Sequence, residues 1–155
     1  MIAPTEDIDR IMAVMACAFA PAFGEAWNRR QVEDALLAGN CHYVIANRNG
    51  EAAQIGEDAA GFYLSRLGVD EEELLLLAVD PAYRRRGIGG YLIGNLLKAA
   101  RSRGASRLVL EMRRDNPAEA LYRGKGFRPI GIRPGYYRRS DGQYIDAITF
   151  ECPTA

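Results

Sequence analysis

The chain is short of the residues that build redox, metal and disulfide sites. Its three cysteines, Cys17, Cys41 and Cys152, are scattered, and no C-x-x-C pair occurs. That count and spacing suggest neither a zinc site nor a disulfide framework, and no metal is expected. A reducing cytoplasm is the simple setting for such a chain. The one histidine, His42, directly follows Cys41. On a strand those two side chains point to opposite faces, so they make no nucleophile–base pair. No apolar run approaches the roughly 18 residues that span a bilayer, so no membrane partner is expected. The N-terminus carries Glu6, Asp7 and Asp9 and no basic n-region, unlike a signal peptide. An excess of one charge is also missing, because twenty basic side chains offset twenty acidic ones. A neutral chain is not built for general phosphate-backbone binding, which argues against nucleic acid as the main partner.

What is present suits one domain, residues 1–155, with a real core: 48% of the residues are hydrophobic and 26% charged. Thr5 can cap a helix with Ile8, Ile11, Met12, Met15 and Phe19 at helical spacing. Asn28 and Gln31 resemble a capping box ahead of Val32, Ala35 and Leu36, and Gly39 can end that helix. Strands are expected over residues 43–46, 60–67, 73–79, 107–112, 129–133 and 145–151, the last two joined by a loop over 136–143. The 73–79 run is nearly all apolar, as in a central strand covered on both faces. A helix is expected over 88–103, and a short one after Asn116-Pro117-Ala118-Glu119, which offers a cap, a first-turn proline and a glutamate. The order reads βααβββαβαββ. It implies an α/β (α+β) fold with a mixed central sheet of about six to seven strands and about four helices on its two faces.

Two features stand out chemically. The first is Arg84-x-x-Gly87-x-Gly89 between a strand and a helix start. The first N–H groups of a helix have no internal partner and sit at its positive end, so this turn suits a phosphate-bearing ligand. It is neither a P-loop, since Tyr91-Leu92 follows Gly90, nor a dinucleotide fingerprint, since Leu92 stands where a glycine or alanine belongs. A solvated arginine run on an ordinary turn would read the same way. The second is Glu111. Leu108, Leu110 and Met112 share one face of their strand, and Val109 and Glu111 the other. A charge among apolar neighbours must be paired, reached by solvent or functional. Tyr122 in the short helix reads equally well as core packing, and Asn116 as a cap.

Taken together these pieces resemble the GNAT superfamily of acetyl-CoA-dependent N-acetyltransferases, and within it the ribosomal-protein alanine N-acetyltransferases, the RimI family. The likeness is densest in the stretch Glu73 to Gly90, in Leu110-Glu111-Met112-Arg113, in Leu121-Tyr122 with Gly126-Phe127, and in Arg133-Pro134-Gly135-Tyr136-Tyr137 with Asp141-Gly142 and Asp146-Ala147. Trp27-Asn28 stands where that family has Trp-Ser. From Asn116 to Tyr122 the chain is one residue shorter than the family spacing.

The resemblance implies a GNAT fold and residue roles. Leu77, Ala78 and Val79 would line the acetyl and pantetheine arm of acetyl-CoA through their backbone. Arg85, Arg86, Gly87, Ile88, Gly89 and Gly90 would cradle the pyrophosphate, with Arg84 opening the motif and Asn116 touching the coenzyme near its arm. Glu111 would be the general base and Tyr122 the general acid in direct transfer to the N-terminal amine of a protein, a ribosomal one in this family. Residues 20–27 and the Tyr136-Tyr137 loop are candidate walls for that peptide. Two other readings remain: a GNAT enzyme acting on a small amine or a lysine, and a coenzyme A-binding module without catalysis.

Overall fold

The computed structural model describes residues 5–19 and 25–155. Helix α1 (Thr5–Ala18) buries Ile8, Ile11, Val14 and Met15 as one stripe. Met12 and Phe19, expected in that stripe, sit at its margin and are only partly buried. Helix α2 (Arg29–Leu37) opens with both bonds of the capping box in place. Gln31 N donates to Asn28 Oδ1 at 2.9 Å, and Asn28 N to Gln31 Oε1 at 2.8 Å. The helix ends at Ala38, and Gly39 follows in the left-handed region, φ +86°.

Six strands occupy the expected runs: β1 (Cys41–Ala46), β2 (Gly61–Leu67), β3 (Glu71–Val79), β4 (Arg107–Arg113), β5 (Arg128–Arg138) and β6 (Tyr144–Pro153). Among the described residues no strand precedes α1, so the leading strand of the expected order is absent from them. The sheet runs β1-β2-β3-β4-β6-β5. Only β3 and β4 are parallel, and helix α3 (Ile88–Ser102) makes the crossover between them. The sheet is therefore mixed, with α1 and α2 on one face and α3 on the other. Ile8 and Ile11 of α1 share one core cluster with Phe62, Leu64 and Leu76 of the sheet; Leu92 and Leu96 of α3 share the other with Leu108, Leu110 and Phe150. Strand β3 is covered on both sides, as its composition foretold. Among the described residues no helix is long and apolar enough to cross a membrane.

Strand β3 has two irregularities. Leu64 pairs with Leu76 and Ser65 with Leu74, so Leu75 has no partner opposite it in β2. Leu75 and Leu76 then fall on the same side of the sheet, which marks a β-bulge. Second, β3 pairs with β4 only at Glu71, Glu72 and Glu73, opposite Arg107, Leu108 and Val109. Beyond that seam the two strands part, and the sheet forks.

Two expected boundaries move. Strand β5 continues through Pro134 to Arg138, because a register shift between Arg133 and Tyr137 absorbs the intervening residues and pairing with β6 resumes at Tyr137. Gly135 takes φ +60° there, and its N–H donates to Asp146 Oδ1 at 2.9 Å. The expected loop over 136–143 thus shrinks to a tight turn. Helix α4 (Glu119–Gly124) starts later than its cap signal suggests. Asn116 Oδ1 accepts from Ala118 N at 2.9 Å and so caps the turn ahead of the helix.

Candidate active site

The fork opens into a cleft of about 320 Å³. Residues 74–77 of β3 form one wall, and Leu110, Glu111 and Met112 of β4 form the other. Asn116, Tyr122, Trp27, Tyr136 and Tyr137 close it in. Four residues singled out from the sequence therefore meet in one place: Leu77, Glu111, Asn116 and Tyr122.

Glu111 points into the cleft because strand alternation sends Leu108, Leu110 and Met112 to the core under α3. Its Oε2 lies 3.0 Å from Arg133 Nε and accepts from Thr149 Oγ1 at 3.4 Å. Tyr122 is the one buried residue of α4 and meets Phe127 edge to face, ring centroids 5.5 Å apart. Burial, with a smaller push from the negative charge of Glu25, holds the Tyr122 phenol well above the ordinary tyrosine value. Tyr137, half-buried in the same cleft, is pushed up to about 12 by burial first, then by Glu111 and Glu25.

The mouth of α3 lies beyond this cleft. A 3-10 turn over Pro81–Tyr83, capped by Asp80, leads in from β3. Arg85 (φ +65°) and Gly87 (φ +79°) both take left-handed conformations, and Gly87 is the N-cap with no side-chain bond. None of the amide N–H groups of Arg85, Arg86, Gly87, Ile88, Gly89 and Gly90 donates a hydrogen bond among the described residues. They form a bare row at the positive end of a 15-residue helix. Gly89 is needed for a second reason: a Cβ there would lie 2.9 Å from Leu121 Cδ2 of α4. A Cβ on Gly90 would lie 3.4 Å from Lys125 Nζ, which places another cation beside the row. Arg84 reaches back to α1, its Nη2 donating to Ala18 O at 3.4 Å. Arg86 lies over the ring of Tyr83. Val79 packs toward α3, while the Ala78 side chain is buried on the α1–α2 side.

The acetyltransferase (GNAT) family model matches residues 8–127. The chain belongs to the GNAT family. It is an acetyltransferase, of a family that uses acetyl-CoA. It is 40% identical over 106 residues to the [ribosomal protein bS18]-alanine N-acetyltransferase of Escherichia coli strain K12, a match covering 68% of this chain and 70% of that protein. It is 29% identical over 134 residues to a putative enzyme of the same name from Bacillus subtilis, covering 85% and 82%. The crystal structure of the Escherichia coli ribosomal-protein-S18-alanine N-acetyltransferase superposes on the whole chain and on 92% of its own, with a TM-score of 0.81 at 29% identity.

Two candidate walls enter the site as well. Phe19, Glu25 and Trp27 line the cleft from the α1–α2 side, and Tyr136 and Tyr137 from the β5 side; residues 20–24 lie outside the described ones. What sequence reasoning missed are the charged partners. Arg113 Nε meets Glu25 Oε1 at 3.3 Å, and Arg133 meets Glu111. No signal along the chain reveals pairs 88 and 22 residues apart; the second arises from the register of β4, β6 and β5, and the first from the segment between α1 and α2 meeting β4. Cys41 packs under α1 and α2, while the His42 imidazole lies within reach of the charges of Arg103 and Glu72. Among the described residues no group of three or more His, Cys, Asp and Glu is placed to hold a metal ion.

Proposed function

We propose that this GNAT enzyme transfers the acetyl group of acetyl-CoA directly to the N-terminal α-amine of a protein, an N-terminal alanine of a ribosomal protein being the acceptor favoured by its relatives. One observation carries the reading: a carboxylate, Glu111, and a buried phenol, Tyr122, line one cleft at the fork of a sheet whose central strand leads to a bare amide row. The names of the relatives from Escherichia coli and Bacillus subtilis, alanine N-acetyltransferases of ribosomal protein bS18, point the same way.

The amides of Arg85 to Gly90 suit a diphosphate, because they are unbonded and at a helix N-terminus. Arg84 opens that turn. The backbone of Leu77, Ala78 and Val79, past the seam where β4 departs, is free on one side to bond the arm of the coenzyme. Asn116 stands at the cleft beside that arm. Glu111 takes a proton from the acceptor ammonium. An α-amine has a pKa of about 7.7–8 and a lysine about 10.4, so the α-amine needs about 3–4 kcal/mol less to deprotonate. A backbone N–H near Val79 stabilises the oxyanion that forms when the amine attacks the thioester. Tyr122 gives its proton to the departing thiolate. Burial makes that phenol hold its proton more firmly than an exposed tyrosine. The same burial raises the affinity of a thiolate for a proton, so the exchange stays close to balanced inside the cleft.

The test is release of free thiol from acetyl-CoA with three acceptors: a peptide starting with alanine, an N-terminally blocked peptide bearing lysine, and a panel of small amines. Release with the first alone supports the proposal. Release with small amines or lysine alone replaces the acceptor and keeps the site. Coenzyme binding without release in any case would place the acceptor outside these three classes and overturn the proposal.

A further inference from the structure

The carboxylate assigned to the acceptor's proton is already engaged by a cation. Arg133 Nε lies 3.0 Å from Glu111 Oε2, although Arg133 is 62% exposed and Glu111 only 20%. The sheet register explains the reach. Glu111, Thr149 and Gly131 form one row across β4, β6 and β5, and Arg113, Ala147 and Arg133 form the next row on the same face, two residues along. Gly131 contributes no side chain to the first row and Ala147 only a methyl to the second. Arg133 therefore reaches diagonally across β6, past the Ala147 methyl, to the oxygen that Thr149 Oγ1 also meets. Its guanidinium also lies 5.0 Å from the ring centroid of Tyr136, the exposed partner of Tyr137 in the edge-to-face pair at the cleft. One side chain thus touches both a carboxylate inside the cleft and an aromatic face at its rim.

An amine acceptor arrives largely as an ammonium ion at neutral pH. It needs the carboxylate whose Oε2 Arg133 holds. We propose that Arg133 is a displaceable guard on Glu111: it occupies the place of the acceptor's ammonium in the empty cleft and withdraws toward Tyr136 when the acceptor enters. This rests on the reading that Glu111 meets the amine. No covalent bond changes; one cation replaces another at the same carboxylate. The acceptor then binds only the fraction of molecules in which the guard is open, so its apparent affinity is lowered by that fraction. For a half-exposed ion pair the fraction corresponds to a penalty of about two- to six-fold. The factor is the same for every amine that reaches Glu111, because the guard must open whichever amine enters. Arg133 is therefore a positioning residue that sets acceptor affinity without taking part in transfer.

The experiment measures binding of an alanine-starting peptide by calorimetry to protein saturated with coenzyme A, alongside steady-state kinetics. Arg133→Met keeps the apolar stem and removes the charge. It should tighten peptide binding and lower the peptide KM about two- to six-fold, with the gain in KM and not in kcat. Arg133→Lys should stay near the parent. In a Glu111→Gln background, Arg133→Met should change peptide binding by less than about two-fold, since the guard acts through that carboxylate. Unchanged or weaker binding in Arg133→Met overturns the proposal, and so does tightening that persists in the Glu111→Gln background. A fully active Glu111→Gln enzyme overturns the base assignment and the guard with it. A slow Glu111→Gln enzyme with unmoved affinity in Arg133→Met overturns the guard alone.

Discussion

Arg103 clasps Glu72 beneath the sheet, its Nε at 2.9 Å and Nη2 at 2.6 Å from the two oxygens of a carboxylate with no solvent exposure. Ser65 Oγ donates to the same carboxylate. The pair joins the C-terminal end of α3 to β3 at the short seam where β3 and β4 still run together. It thereby anchors the helix whose opposite end presents the bare amides.

Removing one partner of a buried ion pair leaves the other uncompensated. Glu72→Gln should cost about 3 kcal/mol of folding stability. Urea unfolding at neutral pH measures it, and a loss below about 1 kcal/mol would mean that apolar packing alone holds α3 in place.

The same pair gives acid sensitivity. Burial pushes the Glu72 carboxyl up, but hydrogen bonds from Arg103 and Ser65, with the charge of Arg103, outweigh it and hold the group below the ordinary glutamate value. A folded-state value below the unfolded one gives stability that is present above about pH 4.3 and lost as pH falls through the folded value. The stability gap between the parent and Glu72→Gln should therefore be widest from pH 5 to neutrality and narrow below about pH 4. A gap constant down to pH 3 contradicts this.

Glu111→Gln keeps the shape of the cleft wall and removes the base. The expected loss is about 10²- to 10⁴-fold in kcat, the usual worth of a placed general base. Acetyl-CoA affinity by calorimetry should be unchanged, because the amide row lies elsewhere.

Tyr122→Phe removes one oxygen and keeps the edge-to-face contact with Phe127. Thermal stability should hold near the parent value, while kcat falls at least about ten-fold. Unaltered turnover would move the acid role to another group, with Tyr137 of the same cleft the first to test.

Gly87→Ala places a Cβ in open space but at φ +79°. Strain of about 1–2 kcal/mol should reshape the N-cap. The expected outcome is weaker coenzyme binding with little change in acceptor KM, read by calorimetry and initial rates. Equal coenzyme affinity would show that the row tolerates the strained turn.

Much of this architecture was legible along the chain because its signals are local. The capping box of Asn28 and Gln31, the alternation that turns Glu111 away from Leu110 and Met112, and the glycine turn before Ile88 each depend on residues close in sequence. What escaped depends on register. The continuation of β5 past Pro134 needs Asp146 to hold Gly135, a contact between strands. The late start of α4 reflects Asn116 closing a turn first. The bulge at Leu75 cannot be read from a run of four leucines, since any of them could be the extra residue. The pairing of Arg133 with Glu111 requires knowing how β4, β6 and β5 align.

The three-residue seam between β3 and β4 makes the sheet two three-stranded leaves rather than one continuous surface. Helix α3, which touches β2, β3 and β4, is the main brace across them. A molecule lodged between the leaves registers their mutual angle along its whole length, so small tilts of one leaf translate directly into how well two reactants line up.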